Sequence, residues 1–178
     1  MKRFVFVHGF KASHAEPPWM IWLADKLSAA GNQVLIEDFP SPSEPLQEDW
    51  VNKLKMIIIK DDLELNMIGH SLGGLAILKY LEIENVKAKV ALVGTPFEDV
   101  GKPLILDFMA PFDWRVVKSR VSEVGYFYSK DDPHVPFDHM EKFNKELPGS
   151  LFAFEDKGHF GQANFEELLD FCEKKTTL

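Results

Sequence analysis

The sequence predicts an α/β protein: a three-layer sandwich in which helices cover both faces of a mostly parallel, six-stranded sheet. Three observations support this prediction. Short apolar runs alternate with segments whose apolar residues recur at helical spacing. Glycine and proline punctuate the segments. The runs are separated by connections long enough for crossover helices, which successive parallel strands require.

The predicted elements alternate along the whole chain. The predicted strands lie at residues 3–9, 33–39, 63–69, 87–96, 123–129 and 150–156. The predicted helices lie at residues 18–31, 46–58, directly after Ser71, 137–147 and 164–175, with a partly helical stretch over 102–121. Gly31 is a stop signal for the first helix, and Ser43 is a plausible N-cap for the second. Parallel sheets of this kind place their sites at the carboxyl ends of the strands.

Length, charge and cysteine content limit the possible classes of protein. The 178 residues, 46% of them hydrophobic, suit a single domain over 1–178. The net charge of -8 includes no basic block, so neither a nucleic acid nor a membrane partner is expected. The single cysteine, Cys172, allows no internal disulfide, and its place in the last helix suggests a buried or half-buried side chain. Because the N-terminal apolar run is too short for a signal peptide, we expect a cytoplasmic protein.

A serine stands between two glycines where the third strand becomes a helix. Gly69, Ser71 and Gly73 form the pattern G-x-S-x-G. By itself this pattern is weak evidence, and Ser71 could be a helix cap. The order of strand, tight turn and apolar helix is, however, the context that a nucleophile elbow requires. We therefore interpret Ser71 as a nucleophile.

A serine nucleophile needs a histidine base and a carboxylate that orients it, and on this type of fold both follow the serine in the chain. Of the three later histidines, His159 follows the sixth strand in a glycine-flanked loop, whereas His134 and His139 follow the fifth. His159 is therefore the predicted base. Asp131 and Asp132 both follow the end of the fifth strand. We favour Asp132 because it begins the conformationally restrained segment "DPHVP".

The charge that develops on a reacting carbonyl oxygen needs backbone N–H donors, which together form an oxyanion hole. Leu72, directly after Ser71, supplies one expected donor, and Phe10, in the loop after the first strand, supplies the other. His8 and His70 adjoin these positions. We expect both histidines to bond loop backbone rather than to transfer protons.

These motifs carry a resemblance to a known family. The segments "FVHGF", "PPWMIWL", "GHSLGG", "SKDDPHVP" and "GHF" resemble those of small α/β-hydrolases of the retinoblastoma-binding protein 9 and YdeN type, along essentially the whole chain. The resemblance implies an abbreviated α/β-hydrolase sheet without a large cap. It also implies a catalytic triad of Ser71, Asp132 and His159.

Two functions from different classes follow from these residues. The favoured one is a serine hydrolase, most simply a carboxylesterase that cleaves small or exposed acyl esters and needs neither a metal nor an organic cofactor. The alternative is a protein-interaction module whose triad is idle, with no partner that the sequence identifies. The L-x-C-x-E motif, which a retinoblastoma-type partner would suggest, does not occur.

The segment 96–117 is rich in aromatic residues where a small lid would lie. Its aromatic side chains could form the wall of an apolar acyl pocket, or they could equally fill the edge of the core. The predicted pocket residues are Phe97, Phe108, Phe112, Trp114 and, from the loop after the fifth strand, His134.

Overall fold

The computed structural model describes residues 1–59 and 61–174. Its strands are β1 (Lys2–Val7), β2 (Gln33–Ile36), β3 (Glu64–His70), β4 (Ala88–Val93), β5 (Val121–Ser129) and β6 (Ser150–Phe154). Its helices are α1 (Trp19–Ala29), α2 (Gln47–Ile57), α3 (Leu72–Ile83), α4 (Trp114–Arg120), α5 (His139–Glu146) and α6 (Glu166–Glu173), together with a 3-10 helix at Pro103–Met109.

The six strands form one sheet in the order β2-β1-β3-β4-β5-β6, and every neighbouring pair is parallel. The chain builds outward from β1 to β2 and then returns to the other side of β1 to begin β3. This reversal leaves a crevice beyond the carboxyl ends of β1 and β3, where ligands bind in open parallel sheets. The predicted sheet is thus confirmed, and Ser71 directly follows β3 at this crevice.

Alternation along the strands divides the core into two halves. In β1, Phe4 and Phe6 pack on one face of the sheet with side chains from α1 and α6. Val5 and Val7 pack on the other face with α2, α3, α4 and α5. Because both faces of each inner strand are buried, the strands read as continuous apolar runs. The helices on both faces complete the three predicted layers.

Helix α3 is the central helix of the second layer. Its side chains are buried without interruption from Leu72 to Leu78, as its nearly continuous apolar sequence predicts. The dense packing fixes the start of this helix relative to β3. The residue between the two elements, Ser71, therefore has a well-defined position.

The N-cap of α2 differs from the prediction, although the helix itself begins within one residue of its predicted start. Its N-cap position is Leu46 rather than Ser43, and no side chain from that position caps the helix. Instead, Asp107 of the 3-10 helix accepts a hydrogen bond from the first helical N–H, that of Gln47, at 2.7 Å. A tertiary contact thus replaces the local cap, which sequence spacing alone could not show.

The other elements match their predicted positions closely, although β2 ends at Ile36 rather than at residue 39. Residue 175, the last of the predicted C-terminal helix, lies outside the described residues. Within 1–59 and 61–174, no helix has the length and apolar character needed to cross a bilayer.

Candidate active site

Ser71 occupies a sharp turn between β3 and α3. Its backbone angles are φ 52° and ψ -120°, in a region that residues other than glycine rarely adopt. The N–H of Ser71 donates to the carbonyl of Val93 at the end of β4, 2.8 Å away. This strained turn has the geometry that the nucleophile elbow requires, because it presents the serine side chain beyond the carboxyl edge of the sheet.

The flanking glycines are required by close backbone contacts. A Cβ atom on Gly69 would lie 2.5 Å from Gly74 Cα, across the turn. A Cβ atom on Gly73 would lie 2.1 Å from the carbonyl oxygen of Val7 at the end of β1. Both distances are far below a van der Waals contact, so the pattern around Ser71 follows from packing of α3 against β1 and β3.

We expect Gly73→Ala to destabilise the fold by about 3 kcal/mol or more, because its new methyl group would overlap backbone that cannot move independently. Chemical denaturation of the variant measures this loss. Gly161→Ala is the matched control, since a Cβ at Gly161 meets nothing within 4 Å. Equal stability of the two variants would contradict the proposed steric role of Gly73.

Asp132 and His159 form a hydrogen-bonded pair beside the turn. Asp132 Oδ2 lies 2.7 Å from His159 Nδ1, and the Asp132 side chain is only 2% exposed. The other oxygen of Asp132, Oδ1, accepts the N–H groups of His134 at 2.8 Å and Val135 at 3.1 Å. The carboxylate is therefore held from both sides, and it fixes the orientation of the imidazole.

Asp131 has a different role from Asp132. Its Oδ1 accepts the hydroxyl of Ser129 at 2.6 Å and the N–H of Gly158 at 2.8 Å. These two hydrogen bonds lower the pKa of Asp131. Asp131 thus connects the end of β5 to the loop that carries His159, and it is Asp132 that contacts the imidazole.

Ser71 and His159 line the same cleft, which has a volume of about 340 Å³. Both residues lie in the described part of the chain, and no hydrogen bond joins their side chains there. Such contacts are commonly long in the absence of substrate and shorten when it binds. The ring nitrogen that can meet Ser71 is Nε2, since Nδ1 faces Asp132.

The two expected oxyanion donors lie on either side of Ser71. Leu72 is the first residue of α3, so its N–H has no acceptor within the helix. The loop with Phe10 lies close to the turn, because a Cβ on Gly9 would be 3.2 Å from Ser71 Cβ. Among residues 1–59 and 61–174, no acceptor takes the N–H of Phe10 or of Leu72.

His8 is buried and fixes the loop that carries Phe10. Its Nε2 accepts the N–H of Phe39 at 2.9 Å, so its hydrogen is on Nδ1, which donates to the carbonyl of Gly9 at 2.9 Å. Burial lowers the pKa of His8, which favours this neutral form. As expected from the sequence, His8 bonds loop backbone.

His70 fixes the loop on the opposite side of the cleft. Its Nε2–H donates to the carbonyl of His159 at 3.0 Å. Burial, with a smaller effect of the nearby His159, lowers the pKa of His70 to about 3. His70 therefore stays neutral over the range in which enzymes are usually assayed, and it bonds loop backbone as the sequence indicates.

The low pKa of His70 makes the protein less stable in mild acid. Below about pH 6.5 the unfolded chain protonates this histidine, whereas the folded chain resists protonation down to a pKa of about 3. Unfolding therefore takes up a proton in this window, and the free energy of unfolding falls as the pH falls. We expect His70 to contribute about 2 kcal/mol of the loss between pH 7.5 and pH 5.

Urea denaturation of the wild type and of His70→Gln at these two pH values measures that contribution. Glutamine has an N–H that can replace the bond to His159, but it does not titrate. The variant should therefore lose less stability on acidification than the wild type. If both proteins lose the same amount, the buried imidazole is not the source of the acid sensitivity.

The predicted pocket residues separate into two groups. His134 lines the cleft, and its ring centroid lies 5.1 Å from that of His159. The other four do not line it. Phe97, Phe112 and Trp114 form an aromatic cluster against α5, and Phe108 is buried in contact with Trp50. These four side chains therefore fill the edge of the core, which was the second of the two interpretations.

Several residues of the site, among them Gly94, Lys11 and Lys102, are missing from the sequence-based list. Gly94, at the end of β4, leaves room for the Asp132–His159 pair, because a Cβ there would be 3.2 Å from His159 Nδ1. Lys11 and Lys102 line the cleft. Gly94 could have been found as a glycine directly after a buried strand, and Lys11 as the residue after the predicted oxyanion donor.

Comparisons with known proteins place this geometry in a family. The sequence pattern of the serine hydrolase family matches residues 4–168. Serine hydrolase RBBP9 of Rattus norvegicus is 28% identical over 163 residues, covering 89% of this chain and 87% of the relative. YdeN of Bacillus subtilis (strain 168), which is named as a hydrolase, is 28% identical over 164 residues, covering 89% and 86%.

Solved structures show the same fold. The crystal structure of the B. subtilis ydeN gene product matches with a TM-score of 0.87 at 27% identity, over 97% of both chains. Polyneuridine aldehyde esterase matches with a TM-score of 0.73 at 15% identity, also over 97% of both chains, and it shares the α/β-hydrolase fold. Because the family pattern covers nearly the whole chain and its relatives are named as hydrolases, this protein belongs to the serine hydrolase family and is a hydrolytic enzyme.

Proposed function

We propose that the protein is a carboxylesterase that cleaves small or exposed acyl esters through an acyl-enzyme on Ser71. The observation that carries the proposal is the arrangement of three side chains at one end of the sheet. Ser71 lies on the strained turn, His159 lines the same cleft, and Asp132 holds the imidazole through Nδ1 at 2.7 Å. This arrangement supports nucleophilic catalysis by serine.

In the acylation step, Ser71 Oγ attacks the ester carbonyl carbon while His159 Nε2 takes the hydroxyl proton. The tetrahedral intermediate collapses, the bond to the alcohol oxygen breaks, and the imidazolium returns the proton to the leaving alcohol. A water molecule then attacks the acyl carbon while the same Nε2 takes its proton. The bond from this carbon to Ser71 Oγ breaks, and the imidazolium returns the proton to Oγ, so that the carboxylic acid leaves and the serine hydroxyl is restored. His159 has to be neutral to accept the proton in each half of the reaction.

The other groups of the site have supporting roles in this mechanism. Asp132 keeps the hydrogen of neutral His159 on Nδ1 and stabilises the imidazolium when it forms. The N–H groups of Phe10 and Leu72 donate to the carbonyl oxygen as its negative charge develops. Every step uses groups of the protein and water, so the proposed reaction requires no metal or organic cofactor.

The short connection between β4 and β5 favours small or exposed substrates. Only 27 residues, 94–120, separate β4 from β5, so this connection provides a short lid and no large cap. Thioesters and amides can be cleaved by the same chemistry, and a carboxylic ester is the simplest substrate for it. Cys172, which is buried and unpaired, is consistent with the cytoplasmic location that we also propose.

Labelling with a fluorophosphonate probe tests the proposal directly, because the probe reacts with a serine only when a base activates it. We expect the folded wild-type protein to be labelled and also to hydrolyse p-nitrophenyl acetate. A folded protein that neither reacts with the probe nor cleaves the ester would overturn the esterase proposal and favour the idle interaction module.

A further inference from the structure

Two lysines line the cleft beside Ser71. Lys11 is exposed and Lys102 is half-buried, and both line the cleft together with His159. Within residues 1–59 and 61–174, neither ammonium group forms an ion pair. By contrast, Lys130, which follows β5 at the same end of the sheet, pairs with Glu155 at 2.7 Å. In the described part of the chain the cleft thus holds two ammonium groups without a carboxylate partner, of which Lys11 Nζ lies 5.2 Å from the centroid of the Phe10 ring, on a protein of net charge -8.

Some neighbours of these lysines add to the positive potential, although Asp99 accepts the N–H of Gly101 beside Lys102 at 2.8 Å. Within residues 1–59 and 61–174, no acidic side chain lines the cleft itself, and Asp132 contacts His159 without being part of the wall. The pKa of His134 is lowered by burial first and then by the charge of Lys102, as expected for two residues that line the same cleft. The amino end of α3 also points its N–H groups toward this space.

A second, apolar cavity of about 210 Å³ adjoins the cleft. It is lined by Phe10, Lys11, Gly101, Lys102, Pro103 and Leu104. Phe10 and the two lysines line both cavities, which therefore lie side by side, and we call the two cavities together the groove. The groove therefore offers an apolar surface for methylene groups and two ammonium groups for a negative charge at their end.

We propose that this groove selects esters whose short acyl chain ends in a carboxylate. The ester carbonyl would lie at Ser71, the methylene groups against Phe10 and Leu104, and the terminal carboxylate between Lys11 and Lys102. The inference rests on the proposed esterase activity and adds the chemical class of the acyl group. A neutral chain of the same length would fill the groove but leave both ammonium groups unpaired.

The test compares mono-p-nitrophenyl adipate with p-nitrophenyl hexanoate, two esters of similar length of which only the first has a terminal carboxylate. After subtraction of the uncatalysed rates, we expect wild-type kcat/KM to be about tenfold higher for the adipate ester. Lys102→Gln and Lys11→Gln should each reduce this preference about three- to fivefold. High salt should weaken it because the ammonium groups are accessible to solvent.

Lys118→Gln is the matched control, because it removes the same charge from an exposed position on α4 that is not part of the groove. Its preference for the adipate ester should equal that of the wild type. Equal kcat/KM for the two esters in an active wild-type enzyme would overturn the anion proposal alone. An equal loss of preference in all three lysine variants would also overturn it, because net charge would then be the cause. If neither ester is cleaved and the fluorophosphonate probe does not react, the esterase proposal itself fails.

Discussion

Replacing Ser71 with alanine is expected to reduce the hydrolysis of p-nitrophenyl acetate by at least roughly 10⁴-fold, to the level that binding and backbone donors alone can sustain. Alanine keeps the Cβ atom that the turn already accommodates, and it removes only the oxygen. The expected loss is therefore chemical, and the free energy of unfolding should change little. Steady-state kinetics and urea denaturation of the same preparations measure the two effects separately.

Ser28→Ala is the control for this experiment, since Ser28 is exposed on α1, on the opposite face of the sheet. The Ser28→Ala protein should keep full activity. In the Ser71→Ala protein, Ser28 should not react with the fluorophosphonate probe. A folded Ser71→Ala protein that retains more than about a tenth of wild-type turnover would contradict the assignment of Ser71 as nucleophile.

The sequence predicts the fold well because its strongest signals come from burial. All six strands lie where short apolar runs predict them. Helices cover both faces of the parallel sheet, so few polar residues interrupt the inner strands. Alternation of strands and helices then limits the topology to a few arrangements. The predicted cap of α2, Ser43, is wrong because a tertiary contact from Asp107 takes its place.

The positions of the proposed triad can also be predicted, because chain order on this fold constrains where a base and its carboxylate can lie. The choice between Asp131 and Asp132 needs the structure for a physical reason. Both residues are hydrogen-bonded through side-chain oxygens to neighbouring loops, and only the turn geometry decides which oxygen faces His159.

The lining of the cleft is the part that the sequence could not show. Aromatic residues in the segment 96–117 are as suitable for a core edge as for a pocket, and contacts with α5 and Trp50 decide the matter. Lys11 and Lys102 are far apart in the chain and have no shared pattern. They line the same cleft because the loop after β1 and the connection after β4 come together beside Ser71.

Replacing Asp132 with asparagine is expected to lower kcat about 10⁴-fold while preserving the packing. The amide oxygen would remain with the two backbone N–H groups that Asp132 Oδ1 now accepts, those of His134 and Val135. The amide NH₂ would then face His159 Nδ1 and donate to it. Nδ1 would have to be the unprotonated nitrogen, so the hydrogen of neutral His159 would move to Nε2, which could no longer accept the proton of Ser71.

Asp131→Asn is the matched control, because it removes the same charge one residue away while its amide oxygen can still accept the bonds from Ser129 and Gly158. We expect it to change kcat less than about tenfold. Kinetics of both variants, with denaturation curves to verify folding, separate a tautomer effect from a general effect of charge. Equal losses of kcat in the two variants would show that local charge sets the rate, rather than the hydrogen bond that Asp132 accepts from His159 Nδ1. A fully active Asp132→Asn enzyme would exclude Asp132 from the mechanism. The amide would place the hydrogen of His159 on Nε2, and this nitrogen could then not be the base for Ser71.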